Sequence, residues 1–97
     1  MARAILTKRA RKDLIEIRKY TVDRWGKDQA RKYLGQIHCC ADDLANHHLQ
    51  GKRREDIAPG LKSYHAGRHV IFYVEAKTGI EIARVLHDSM DFARHFK

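Results

Sequence analysis

Apolar residues alternate through the last third of the chain, with Val70, Phe72 and Val74 on one side and Ile71 and Tyr73 on the other. That run reads as a strand buried on both faces. Lys77-Thr78-Gly79 interrupt it, and a second apolar run follows from Ile80 to Leu86. Together they predict a β-hairpin at the centre of a sheet. Upstream the spacing changes from two to three and four. Ala10, Leu14, Ile17, Thr21 and Trp25 line one helix face, widened by Ile15 and Val22, with Thr7 placed to cap its start and Gly26 to end it. Asp28 can cap a second helix whose apolar side carries Ala30, Tyr33, Leu34, Ile37, Ala41, Leu44, Ala45 and His48, ending near Leu49 before Gly51. Only Gly26 and Lys27 separate the two patterns, which implies an antiparallel helical hairpin.

The remaining segments are short. Arg3 to Leu6 is extended and must pair with the later sheet; Lys52 to Asp56 is a charged loop, Pro59-Gly60 a turn, and Leu61 to Ala66 a strand. The expected fold is α+β: an N-terminal strand, then an antiparallel helical hairpin packed on a small antiparallel sheet of three to four strands, in one domain spanning residues 1–97. On this spacing Tyr20, Trp25 and Tyr33 are core residues, although their polar edges also suit an interface. A core Trp25 would make Trp25→Ala cost about 3–5 kcal/mol.

Charge adds direction. The chain of 97 residues has a net charge of +8, and residues 1–27 carry +6 of it, nine Lys/Arg against three Asp/Glu. Such asymmetry suits an acidic protein partner or nucleic acid. Lys8, Arg9, Arg11 and Lys12 crowd a helix start that favours acids, partly relieved by Arg9–Asp13 and Lys12–Glu16 pairs. No apolar run approaches the roughly 18 residues of a membrane span and no signal region opens the chain, so no membrane association and a cytoplasmic location are expected. Cys39 and Cys40 are adjacent in a helix, poorly placed to bridge each other, and are expected to be reduced.

Candidate chemistry is thin. Seven histidines are present, but His47-His48 point apart on a helix, and His65 with His69 across the Gly67 turn gives at most two ligands. No metal and no cofactor are expected. Arg84 stands among buried aliphatics, which is costly unless it is paired or functional. His87 is a candidate general acid or base, with Arg84 and Arg68 stabilising a phosphorane, in an RNA-cleaving site. The favoured reading is structural: Arg84 and His87 bond to the C-terminal segment and pin it to the sheet.

Several motifs together resemble one family: Arg24-Trp25-Gly26 with Gln29-Ala30 and Tyr33-Leu34, Pro59-Gly60-Leu61, Gly67-Arg68-His69-Val70-Ile71-Phe72-Tyr73, and Arg84-Val85-Leu86-His87 with Ser89-Met90-Asp91. The set is similar to the ParE toxins of bacterial type II toxin–antitoxin modules, in the ParE/RelE superfamily, from about Leu6 to the C-terminus. The resemblance implies a RelE/ParE-like fold and a toxin silenced by a ParD-like antitoxin, through which alone operator DNA is reached. It also implies DNA gyrase as the target, whereas RelE-type relatives cut mRNA on the ribosome. The RelE pattern of basic residues with a terminal tyrosine is not evident, so a non-enzymatic inhibitor is expected. Antitoxin contacts are expected at Arg9, Leu14, Arg18, Tyr20, Trp25, Tyr33, Arg68 and Tyr73. Target contacts are expected at Arg84, His87, Ser89, Met90, Asp91 and Arg94.

Overall fold

A computed structural model describes residues 2–96. The element order is β1 (Arg3–Leu6), α1 (Lys8–Trp25), α2 (Lys27–Ala45), β2 (Lys52–Arg53), β3 (Lys62–Ala66), β4 (His69–Ala76), β5 (Gly79–His87) and a final 3-10 turn (Phe92–Phe96). The strands form one mixed sheet in the order β1-β5-β4-β3-β2. The expected antiparallel sheet of three to four strands is thus a five-stranded one, because β1 joins β5 in parallel and two residues of the charged loop pair with β3. A strand of two exposed basic residues has no alternation to read. At Gly79 (φ +142°) an added Cβ would overlap the Arg3 backbone, so β1 reaches β5 only because that position lacks a side chain.

α1 forms as its pattern predicts. The Thr7 hydroxyl accepts from Ala10 N–H at 3.1 Å, and Gly26 (φ +90°) ends the helix with its N–H on Val22 O. Gly26 is also the residue from which α2 starts, so Asp28 lies in the first turn of α2 rather than capping it. The far end of α2 differs from expectation. The helix stops at Ala45, and His47 adopts φ +62°. His47 N–H then bonds Leu44 O at 3.2 Å and His48 N–H bonds Asp43 O at 2.8 Å. These two bonds make a Schellman ending in which histidine occupies the left-handed position that glycine prefers. Replacing His47 with Gly should therefore stabilise the protein by up to about 1 kcal/mol, read as a higher Tm; a lower Tm would show that the imidazole makes a compensating contact.

Both faces of β4 are covered, by different elements. Ile71, Tyr73, Ile80, Ile82 and Val85 meet the helices through Ala10, Ile17, Ile37, Ala41 and Leu44. Val70, Phe72 and Leu86 form the opposite layer with Leu61, and the C-terminal Phe92 and Phe96 pack over them. The Phe72 ring lies 4.9 Å from Phe92 and 5.1 Å from Phe96, centroid to centroid. The Arg54 guanidinium adds a cation over Phe72 and Phe92, at 5.8 and 5.7 Å.

A β-bulge settles the fate of Arg84. Tyr73 pairs with Ile82 but Phe72 pairs with Arg84, leaving Ala83 as an extra residue in β5. Ile80 and Ile82 face the helices before it and Val85 does so after it, while Arg84 turns to the Phe72 side. There β5 has run past β1, which pairs only as far as Ile82, so its outer edge is open. Asp13 of α1 fills that edge. One carboxylate oxygen accepts the Val85 N–H at 3.0 Å and Arg84 Nε at 2.8 Å, and the other accepts Arg84 Nη2 at 2.9 Å. Arg84 Nη1 also donates to the His95 carbonyl at 3.3 Å. Among the described residues neither expected pair, Arg9–Asp13 nor Lys12–Glu16, is made, and this fork satisfies the Asp13 carboxylate; the bond to Asp13 also holds the Arg84 pKa above its ordinary value.

Candidate functional site

Beyond the sheet, where the helical hairpin turns, lies an open cleft of about 500 Å³. Its walls are Tyr20, Thr21 and Trp25 from α1 and Gln29 and Tyr33 from α2; its floor is Arg68, His69 and His87 from the strand ends. Trp25 and Tyr20 are not core residues: they are 70% and 58% exposed. Trp25 is the last residue of α1, where the helical period continues but no sheet lies beneath it. The Arg24 guanidinium stacks 5.1 Å from the centre of the Tyr20 ring.

The same bulge builds the floor. It sets His69 directly opposite His87, with their rings edge to face and centroids 5.3 Å apart. Tyr33 ties the floor to the helices: its hydroxyl accepts the Arg68 N–H at 3.0 Å and donates to His69 Nδ1 at 2.5 Å. Gly67 (φ +64°) permits this approach, because a Cβ there would sit 2.8 Å from the Tyr33 ring. With Nδ1 accepting, neutral His69 carries its proton on Nε2. Burial holds its pKa down at about 4, with nearby His87 lowering it further and Asp88 opposing. His87 Nδ1 is occupied in the same way, accepting the Ser89 N–H at 3.1 Å with Ser89 Oγ at 2.7 Å. Behind the floor Asp88 gathers His65 Nε2 at 3.2 Å, His87 Nδ1 at 3.4 Å and Arg68 Nε at 3.9 Å.

The depressed pKa of His69 makes a pH prediction. Between about 4 and the ordinary 6.5 the unfolded chain binds more protons at this residue than the folded one, so stability should fall as pH drops through that window. A smaller pH slope in His69→Gln than in the parent, followed by urea denaturation, would bear this out. An NMR titration placing His69 near 6.5 would contradict it.

The expected site residues separate into groups. Arg68 and His87 line the cleft, but Arg84 does not; it is held by Asp13 and His95 with its side chain 15% exposed, so the three do not converge on one point. For the same reason Arg84 does not present itself as a target contact. His87 bonds to Ser89 as the structural reading requires, and Arg84 bonds both to the C-terminal segment and to α1. Ser89, Met90, Asp91 and Arg94 are exposed around the C-terminal segment. Tyr20, Trp25, Tyr33 and Arg68 share the cleft, whereas Leu14 lies in a separate groove of about 300 Å³ with Ala4, Leu6, Leu34 and Ile37. Arg9 and Arg18 are exposed on α1. Tyr73 is no surface contact: it is 2% exposed, with its hydroxyl accepting the Gly51 N–H at 2.9 Å. His65 and His69 do not face each other, because His65 pairs with Val70 and so points to the opposite side. Among the described residues no group of three His, Cys, Asp or Glu is placed to hold a metal ion. No described helix is long and apolar enough to cross a membrane.

His69, Thr21 and Gln29 belong to the cleft although the sequence offers none of them as a partner contact. His69 had a signal in its place at the head of an apolar strand, but its partner depends on the bulge at Ala83.

Comparison with known proteins adds a family to this geometry. Residues 4–92 match the family model of the ParE toxin of the parDE type II toxin–antitoxin system. Toxin ParE1 of Mycobacterium tuberculosis is 38% identical over 95 residues, 97% of both chains. Toxin ParE1 of Caulobacter vibrioides is 36% identical over 90 residues, 93% of each. Among solved structures, the chromosomal ParDE system of P. aeruginosa superposes with a TM-score of 0.74 at 21% identity, covering 90% of this chain and 96% of that one, and shows the shared fold.

Proposed function

The chain belongs to the ParE toxin family of type II toxin–antitoxin systems, and on that premise we propose that it is a cytoplasmic toxin that inhibits DNA gyrase by binding, and that a ParD-like antitoxin neutralises it. The observation that carries a binding rather than a cutting mechanism is the fork between Arg84 and Asp13. Phosphoryl transfer to or from RNA needs cationic groups free to meet developing charge. The fork uses one guanidinium as a structural tie and leaves Arg68 as the one arginine lining the cleft.

Antitoxin contacts in this reading are Arg9 and Arg18 on the outer face of α1, Leu14 in its apolar groove, and Tyr20, Trp25, Tyr33 and Arg68 at the hairpin end. Exposed tryptophan, tyrosine and arginine are the residue types that dominate binding hot spots. The +6 charge of the first 27 residues suits an acidic antitoxin tail, steering its encounter and register. His87, Ser89, Met90, Asp91 and Arg94 are then left as contacts for the target.

Induction of the chain without antitoxin should trigger a DNA-damage response while transcripts stay intact. Site-specific mRNA cleavage that is lost in His87→Ala would overturn this reading in favour of a RelE-type ribonuclease.

A further inference from the structure

The cleft offers small-ligand chemistry as well as a docking surface. Both imidazoles spend Nδ1 on internal bonds, so in their neutral forms each carries its proton on Nε2, and neither Nε2 has a protein partner among the described residues. The Arg68 side chain beside them is 77% exposed. None of the eight lining residues is a carboxylate; Asp88 lies behind the floor with His65, Arg68 and the Nδ1 side of His87. Hydrogen-bond donors thus converge in a cleft with no carboxylate in its lining, backed by the single acid Asp88, on a chain of net charge +8. Above them stand two exposed aromatic rings, Tyr20 and Trp25. Arg24 covers one face of Tyr20, whereas Trp25 stands open. Donors for an anion beside a stacking platform are the two elements by which proteins hold an unpaired nucleotide. The volume, about 500 Å³, lies within the range of small-ligand sites.

We propose that this cleft binds a nucleotide, its base stacked on Trp25 and its phosphate held by Arg68 and the Nε2–H groups of His69 and His87. The inference does not rest on gyrase as the target. No bond is made or broken; the ligand is held. The nucleotide can be free or an unpaired residue of a single strand, since both present the same base and phosphate.

Trp25 is the one tryptophan of the chain and reports directly on its own cleft. Its fluorescence in the full-length chain should be titrated with adenosine monophosphate, adenosine, inorganic phosphate and a short oligodeoxythymidylate. Saturable quenching is expected with the monophosphate, the oligonucleotide or both, and whichever binds identifies the source. Adenosine and phosphate alone should each bind at least tenfold more weakly. Arg68→Ser and His87→Gln should weaken the binding while Tm stays within a few degrees of the parent, and Trp25→Ala, followed by equilibrium dialysis, should weaken it about 5- to 150-fold. No saturable quenching by either nucleotide ligand, phosphate binding as tight as the monophosphate, or equal affinity in Arg68→Ser would each overturn the proposal.

Discussion

Asp13→Ala is expected to destabilise the protein by about 3–5 kcal/mol, the cost of removing one partner from a desolvated ion pair. Asp13 and Arg84 are only 14% and 15% exposed, so solvent replaces little of what is lost. The carboxylate also supplies the acceptor that β1 would give Val85 had it continued along β5. Its loss leaves a guanidinium and a strand-edge N–H without it. In a domain of this size Tm should fall by about 4–8 °C for each kcal/mol. Asp13→Asn, which keeps an acceptor but not the charge, should fall between. The double variant Asp13→Ala/Arg84→Ala should lose less than the sum of the two single changes, because the stranded charge is gone. Additive losses would show that the two side chains act independently and that the fork contributes little.

Phe72→Ala should cost about as much, 3–5 kcal/mol, by a different route. The ring is fully buried between β4 and the C-terminal segment, with Phe92 and Phe96 against it and Arg54 above. Truncation leaves a cavity and removes the ring against which Phe92 and Phe96 of the five-residue 3-10 turn pack, so the turn is expected to loosen. The signature is therefore double: a lower Tm, and amide exchange from Phe92 to Phe96 that rises well above that of the helices. Phe72→Leu should lose less on both measures. Unchanged exchange in the C-terminal segment would show that Arg84 and the His95 carbonyl suffice to hold it.

These two sites show where sequence is informative and where it is not. The elements are legible because the Thr7 hydroxyl and the left-handed Gly26 bracket α1 locally, and because β4 is an unbroken apolar run from Val70 to Val74. Trp25 misled because helical period records which way a residue points, not whether another layer reaches that far. Its 70% exposure replaces the 3–5 kcal/mol expected of a core ring with a prediction of near-neutral stability for Trp25→Ala. The end of α2 was misplaced because His47 takes a left-handed conformation for which the eye looks to Gly51. Tyr73 carries both an apolar ring and a hydroxyl, and only the fold shows that Gly51 receives the latter.

The bulge at Ala83 is the least legible feature and the most consequential. Counted back from the Lys77-Thr78 turn without it, Arg84 would point into the helix-covered core and His69 would face Leu86. One extra residue removes the conflict that Arg84 posed in the sequence and assembles the paired imidazoles of the cleft. No composition or spacing in β5 announces it, since alanine is compatible with either register.

In the proposed function this protein acts on its target by binding, through a surface that includes His87 and the exposed C-terminal segment. Supercoiling by purified DNA gyrase, with the chain added alone or with a ParD-like antitoxin, tests it most directly. Inhibition that rises with toxin concentration and is relieved by equimolar antitoxin is the predicted result. Full supercoiling at high toxin excess, from a preparation that melts cooperatively and binds the antitoxin, would contradict it.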